Sequence, residues 1–109
     1  MITWIVLALA IVAEVVGTTA LRASDGMTRV LPGVVVVVAY VISFVLLAVT
    51  LKHLTLGTTY AIWSGVGTLA IALIGWLAYR ERLSAATIAG IALVVAGVVV
   101  IHLGGSAHR

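Results

Sequence analysis

The amino-acid sequence predicts an all-α integral membrane protein with four transmembrane helices. Of the 109 residues, 64% are hydrophobic and only 8% are charged, whereas ordinary globular proteins carry about 25% charged residues. The charges are spaced so that nearly uncharged stretches of about 20 residues lie between them, which is the length needed to cross roughly 30 Å of hydrocarbon. This composition excludes a soluble enzyme. The six Lys and Arg residues indicate loop charges beside a lipid bilayer rather than a surface that binds nucleic acid.

The charges divide the chain into four spans, which form a single transmembrane domain over residues 1–109. We predict spans at residues 2–21, 32–51, 58–79 and 85–103. Each span is expected to be helical, because a chain in lipid must satisfy its backbone hydrogen bonds internally. The loops are short, and the pair Asp25 and Gly26 marks a turn in the first of them. Consecutive helices should therefore run antiparallel.

The first span contains Glu14, the one charged side chain that lies well inside a predicted span. With a rise of 1.5 Å per residue, it lies roughly 18 Å along the helix from Ile2, near the middle of the bilayer. A charge at that depth costs about 2.5–3.5 kcal/mol or more, so such residues usually have a function. Burial disfavours the charged form, so the carboxyl group can exchange protons as well as bind a cation. Competition between a proton and a cation for Glu14 is sufficient for proton-coupled antiport, without a metal or a cofactor.

Small and apolar side chains surround Glu14 on its own helix, at spacings of three, four and seven residues that share one face. They are Leu7, Ala10, Ile11, Gly17, Thr18 and Leu21. This surface suits a bulky lipophilic cation, to which Thr18 offers a hydroxyl group. For Ala10 and Gly17 taken alone, close packing against another helix explains the small side chain equally well.

The second span is predicted to be helical although the run from Val34 to Val38 favours strands, because the uncharged stretch is long enough to cross the membrane. Pro32 suits the first turn of that helix. Aromatic, hydroxyl and apolar side chains lie on one face at helical spacing, and we expect them to line the substrate. They are Tyr40, Ser43, Phe44 and Leu47.

The third span has a similar face, with Tyr60 and Trp63 followed by Ser64. Aromatic rings attract cations by roughly 0.5–2 kcal/mol and Trp does so best, so we place Trp63 beside the substrate. Tyr60 would line the same site or hold the carboxyl group by a hydrogen bond; helix packing is the alternative for either ring. Gly65 and Gly67 form a glycine pair at which the helix can kink.

The fourth span carries Gly90 and Gly97 seven residues apart on one face, a small-residue pattern that is typical of close helix contacts. We interpret this helix as the contact between subunits. A single carboxyl group on three short helices makes half a binding chamber, so a dimer with two copies of Glu14 is the simplest completion. His102, close to the end of the span, is interpreted as an interfacial residue rather than a proton relay.

The number of Lys and Arg residues on each side of the membrane gives a weak preference for the first and third loops in the cytoplasm. Those loops carry Arg22, Arg29, Arg80 and Arg82, and the opposite side carries Lys52 and Arg109. A chain this evenly charged can insert in both orientations.

These motifs resemble the small multidrug resistance family over essentially the whole chain. The segments that carry the resemblance are Ala13–Thr19 in the first helix, Ser24–Arg29 in the first loop and Tyr60–Gly67 in the third helix. Arg80 departs from the family pattern, since Gly is common before Glu81.

The resemblance implies a multi-pass protein of the bacterial cytoplasmic membrane that exports toxic cations in exchange for protons. It implies an antiparallel homodimer, although a heteromeric partner chain is possible, with Glu14 of both subunits as the shared proton and substrate site. Tyr60, Trp63, Tyr40 and Phe44 would surround the substrate, the Gly65–Gly67 segment would be the kink, and Gly90 and Gly97 would be the dimer contact.

The family contains exporters of lipophilic quaternary ammonium cations and exporters of guanidinium compounds. The guanidinium kind typically has Trp three residues after its glutamate, where this chain has Gly17, so we favour the multidrug kind. Two alternatives come from other classes of membrane protein. One is a proton-carrying subunit of a rotary ATPase ring, and the other is a membrane subunit without transport activity of its own. The aromatic face of Tyr60 and Trp63 argues against the ring subunit, which has no need for a cation surface.

Overall fold

The computed structural model describes residues 2–104, which form four α-helices connected by short loops. The helices are α1 (Ile2–Ala23), α2 (Val30–Thr50), α3 (Leu56–Ala78) and α4 (Ala85–Gly104). All four are long and apolar enough to cross a membrane, so the predicted all-α fold class with four spanning helices is confirmed. Arg109, which entered the comparison of loop charges, lies outside the described residues.

All four helices extend past the predicted span at one end. Helix α1 continues two residues beyond Leu21, α2 and α3 each begin two residues earlier than predicted, and α4 continues one residue further, to Gly104. The predicted spans reflect the width of the hydrocarbon, whereas helical hydrogen bonds continue into the polar zone beside it. Arg22 in the last turn of α1 is placed favourably there, because the C-terminal end of a helix carries partial negative charge.

The helices pair as two compact hairpins, α1 with α2 and α3 with α4, and the division falls between His53 and Leu54. In the first hairpin the buried Ser43 hydroxyl group donates to the Ala10 carbonyl oxygen at 2.8 Å, which ties the two helices together. Leu7 and Ile11 are also buried. Close approach is possible here because Ala10 has a small side chain.

The first hairpin turns through three successive residues with positive φ, Asp25, Gly26 and Met27. Ser24 holds this turn. Its hydroxyl group donates to the Leu21 carbonyl oxygen at 2.6 Å and accepts from the Met27 backbone N–H at 3.0 Å. The turn expected from Asp25 and Gly26 is therefore stabilised by a buried serine immediately before it.

In the second hairpin, Gly65 of α3 packs directly against α4. A Cβ atom at this position would overlap the Val98 side chain and would lie 3.2 Å from Val94 Cγ1. Helix α3 ends at Ala78, and the Gly75 carbonyl oxygen in its last turn accepts from the Glu81 backbone N–H at 3.0 Å. Arg80 follows the helix with φ of 55°, a conformation that glycine adopts more easily than other residues.

Helix α4 begins at a serine cap and is largely exposed along its length. The Ser84 hydroxyl oxygen accepts from the Thr87 backbone N–H at 3.1 Å, which satisfies one of the free donors of the first turn. None of the residues that the structure describes in α4 is buried.

Gly17 provides a test of the packing in the first hairpin. A Cβ atom at this position would lie 2.6 Å from both Cδ1 and Cε1 of the Tyr40 ring. We expect Gly17→Ala to destabilise the protein by about 1–3 kcal/mol, because the ring must move.

Gly33→Ala is the matched control, since the nearest atom to a Cβ at that buried glycine is Met27 Cε at an ordinary 3.7 Å. It should be neutral or stabilising by up to about 1 kcal/mol, through better helix propensity. The measurement is the thermal unfolding midpoint of each variant in one detergent. Equal midpoints for the two variants would contradict the packing described here.

Candidate functional site

The carboxyl group of Glu14 lies half-buried on α1 and is bound by a chain of two hydroxyl groups. Thr18 Oγ1, one helical turn further along, lies 2.9 Å from Glu14 Oε1 and donates to it. The same Thr18 oxygen lies 2.7 Å from the Tyr40 hydroxyl oxygen of α2. Glu14 is therefore connected to the second helix through Thr18 rather than by direct contact with Tyr40.

The Tyr40 ring owes its position to two neighbours. It lies over the backbone of Gly17, where any larger residue would occupy its place. The ring of Phe44 lies one turn away on α2, with 6.3 Å between ring centroids and an angle of 48° between the planes. The two aromatic residues predicted to line the second-helix face are thus in contact, and Phe44 is 56% exposed.

Some residues predicted to line the substrate pack inside the first hairpin. Leu7, Ala10 and Ile11 are buried, and the Ser43 hydroxyl group is occupied by the Ala10 carbonyl oxygen. Leu47 is half-buried. For Ala10 and Gly17 this supports the packing explanation that the sequence left open, while a contact of any of these residues with substrate stays a prediction.

The second hairpin brings Tyr60 and Trp63 together on α3. Their rings meet edge to face, with centroids 5.4 Å apart and an interplanar angle of 80°. Tyr60 is 58% exposed and Trp63 is half-buried. Such an edge-to-face pair leaves at least one ring face accessible, which is the surface that a cation would contact.

The predicted kink falls in a helix that runs without interruption from Leu56 to Ala78. Gly65 and Gly67 are both buried within it, and Gly65 allows α4 to approach. Packing therefore already accounts for Gly65, and the kink at this pair stays a prediction.

The two glycines assigned to the dimer contact have no packing role that the described chain reveals. Within residues 2–104, and apart from the chain neighbours and adjoining helix backbone of each glycine, no atom would lie within 4 Å of a Cβ at Gly90 or at Gly97. Both residues are exposed on α4.

Sequence reasoning missed the part that Tyr40 plays beside Glu14. The spacing of four residues between Glu14 and Thr18 was a usable signal, because such pairs face each other on a helix. The contact between Thr18 and Tyr40 depends on how α1 and α2 are aligned, which no local pattern reveals.

Two further hydroxyl groups, of Thr19 and Thr59, are buried without a hydrogen-bond partner in the described part of the chain.

The chemistry available at this site is acid–base and cation binding. Among the described residues, no cluster of three or more His, Cys, Asp or Glu side chains is arranged to hold a metal ion. The groups that the first hairpin assembles are one carboxyl group, two hydroxyl groups and an aromatic pair. A carboxyl group with one hydroxyl donor on it can alternate between a proton and a cation.

Comparison with known proteins identifies relatives of similar length. The chain is 47% identical over 94 residues to the multidrug transporter EmrE of Escherichia coli strain K12, covering 86% of each chain. It is 43% identical over 100 residues to the quaternary ammonium compound-resistance protein QacE of Escherichia coli, covering 92% of this chain and 91% of QacE. It is 44% identical over 103 residues to the multidrug transporter PA4990 of Pseudomonas aeruginosa, covering 94% of each chain.

The family model for the Small Multidrug Resistance protein matches residues 2–94, which include α1, α2 and α3 and the first half of α4. The relatives are transporters and resistance proteins, so the predictions of transport rather than catalysis and of a multi-pass protein of the bacterial inner membrane are confirmed. The chain belongs to the small multidrug resistance family of multidrug and quaternary ammonium transporters.

Proposed function

We propose that this protein exports lipophilic and quaternary ammonium cations in exchange for protons, with the proton and the substrate competing for Glu14. One observation carries the proposal: Glu14 lies in the middle of an apolar helix, half-buried, with a hydroxyl donor on its carboxyl oxygen. A buried carboxylate attracts a cation strongly, because little solvent screens the interaction. A proton that neutralises the group removes that attraction, so the two ligands exclude each other.

The aromatic side chains support a lipophilic cation as substrate. Phe44 and Tyr60 are both more than half exposed, and each lies on a helix that is apolar enough to cross a membrane. Exposed rings in hydrocarbon offer a cation both apolar contact and the attraction of the ring face. The names of QacE and EmrE, a quaternary ammonium resistance protein and a multidrug transporter, agree with this substrate class.

Gly17 favours the multidrug kind over the guanidinium kind. In this hairpin the place next to Gly17 is filled by the Tyr40 ring, so the bulky Trp expected of guanidinium exporters does not fit in the same arrangement. We infer that the tyrosine ring and the glycine form one wall of a site for larger apolar cations. Export of guanidinium compounds is the alternative.

We propose further that the functional unit is an antiparallel homodimer in which α4 of each subunit contacts the other through Gly90 and Gly97. These glycines meet no neighbour within the described chain, and none of the described α4 residues is buried. Helices in lipid associate through small residues that allow backbones to approach. A dimer would bring two Glu14 carboxyl groups to one substrate, and a heterodimer with a related chain would do so equally.

The first test is substrate uptake into proteoliposomes that have an acidic interior. Protons leaving the vesicles should drive tetrapropylammonium inward, and Glu14→Gln should reduce uptake to that of empty liposomes because glutamine cannot bind a proton. Glu81→Gln is the matched control, since Glu81 is an exposed acid in the third loop and should transport like the wild type. Uptake driven by the pH gradient in Glu14→Gln would overturn the mechanism.

The same vesicles test the substrate class with phenylguanidinium as the second cation. We expect uptake of tetrapropylammonium to exceed that of phenylguanidinium at equal concentration, because the wall at Gly17 suits larger apolar ions. A response to phenylguanidinium alone would reverse the assignment made from Gly17. Lack of uptake of either cation by the wild type would indicate a required partner chain or a subunit that does not transport.

The dimer contact is tested by Gly97→Leu, which should reduce dimerisation in detergent measured by sedimentation equilibrium. Ala92→Leu, an exposed position on a different face of α4, adds a similar side chain and should leave the dimer intact. Equal dimerisation of the two variants would contradict a contact at Gly97.

The chain contains no cysteine, so single cysteines placed in the first and second loops would report by crosslinking whether subunits meet parallel or antiparallel.

A further inference from the structure

The hydrogen bonds next to Glu14 have a direction that depends on its charge, because each hydroxyl group has only one proton to donate. An ionised carboxyl group has acceptors only, so Thr18 gives its proton to Glu14 Oε1, across the 2.9 Å between their oxygens. Thr18 then has no proton for Tyr40, 2.7 Å away. Tyr40 must therefore donate to Thr18, and the chain runs from Tyr40 through Thr18 to Glu14.

A proton on Glu14 Oε1 reverses this order. The carboxylic acid then donates to the Thr18 oxygen, and Thr18 turns its proton towards the Tyr40 oxygen at the same short distance. The Tyr40 hydroxyl proton stays on Tyr40 but no longer makes a hydrogen bond to Thr18. No covalent bond forms or breaks beyond the binding of the proton to Glu14.

We propose that Tyr40 is a positioning residue that acts on Glu14 through Thr18, stabilising the carboxylate form and so setting the pH range over which a substrate cation can displace the proton. This rests on the function proposed above for Glu14. Tyr40 contributes by fixing the direction of the Thr18 hydroxyl group. It also strengthens the bond from Thr18 to Glu14, because a hydroxyl group that accepts a hydrogen bond donates its own proton more strongly.

The surroundings of the chain support this role. The Tyr40 ring lies over Gly17 and beside Phe44, so packing against these two residues helps to hold its hydroxyl group at Thr18. The ionisable residues on α1 are Glu14 and Arg22, and Tyr40 is the one ionisable residue on α2. Arg22 is exposed in the last turn, eight positions beyond Glu14. The four ionisable loop residues that flank these helices are also exposed: Asp25, Arg29, Lys52 and His53.

The test is the binding of tetraphenylphosphonium to the full chain in detergent, measured by calorimetry from acidic to alkaline pH. Binding should weaken as the pH falls, because protons occupy Glu14, and the pH of half-maximal affinity is the quantity compared. Thr18→Val should raise this midpoint by about one pH unit, the effect of losing a hydrogen bond to a charged group. Tyr40→Phe should raise it by a smaller amount.

The double variant separates a positioning role from direct contact with substrate. If Tyr40 acts only through Thr18, Tyr40→Phe shifts the midpoint in the wild type but adds nothing to the shift caused by Thr18→Val. The inference is overturned if Tyr40→Phe shifts the midpoint equally in the wild type and in Thr18→Val, or shifts it in neither. It is also overturned if Tyr40→Phe lowers the affinity by the same factor at every pH.

Thr50→Val is the matched control for loosening of the hairpin. It removes a buried hydroxyl group of α2 whose bond goes to the Leu46 carbonyl oxygen, so it should leave the midpoint unchanged. A shift like that of Tyr40→Phe would overturn the inference. Glu14→Gln tests the underlying function separately, because it should abolish the pH dependence of binding. If binding to Glu14→Gln still depends on pH, the proposed function itself is overturned. If Glu14→Gln loses the pH dependence but the Thr18 and Tyr40 variants keep the wild-type midpoint, only the inference is overturned.

Discussion

The structure of the first hairpin depends on the cost of placing polar groups in hydrocarbon. A hydroxyl or carboxyl group without a partner there loses the hydrogen bonds that water would provide, at a cost of several kcal/mol. The polar side chains of α1 and α2 meet this cost in different ways. Ser43 bonds to a backbone carbonyl oxygen of the opposite helix and Thr50 to one of its own, whereas Glu14, Thr18 and Tyr40 bond to one another. The Ser43 bond joins the two helices and the Thr50 bond stays within α2, whereas the chain from Glu14 through Thr18 to Tyr40 joins the helices at the site proposed for proton and cation binding.

The two hairpins differ in how much of their surface they bury within the chain. The first has buried residues on both helices, and a side-chain bond joins the two. In the second, α3 contributes buried glycines while none of the described residues of α4 is buried. Lipid tails are as apolar as these side chains, so exposure carries no hydrophobic penalty in the membrane. The exposed glycines of α4 are nonetheless unfavourable for a helix unless another helix uses the space that they leave.

Much of the fold could be predicted from the sequence because the hydrocarbon thickness fixes the length of each span. The strand-forming run from Val34 to Val38 is helical, since the requirement to satisfy the backbone in lipid outweighs local propensity. Glu14 could be identified for the same physical reason, as a charge that an apolar helix would otherwise exclude. Its hydroxyl neighbours could be predicted only in part. Thr18 follows from helical spacing, but the approach of Tyr40 and the bond from Ser43 to Ala10 depend on the rotation of one helix against the other.

Gly17 connects the choice of substrate to the control of the proton. Its missing side chain lets the Tyr40 ring lie against α1, where the tyrosine hydroxyl group reaches Thr18, through which we propose that it acts on Glu14. A larger residue at this position would fill the site and also push the ring away, which would break the bond between Tyr40 and Thr18. If the proposed site and the proposed role of Tyr40 are both correct, the size of the cation site and the proton affinity of its carboxyl group are linked. We then expect a change at position 17 that alters the preferred substrate to alter also the pH range over which that substrate is exchanged for a proton.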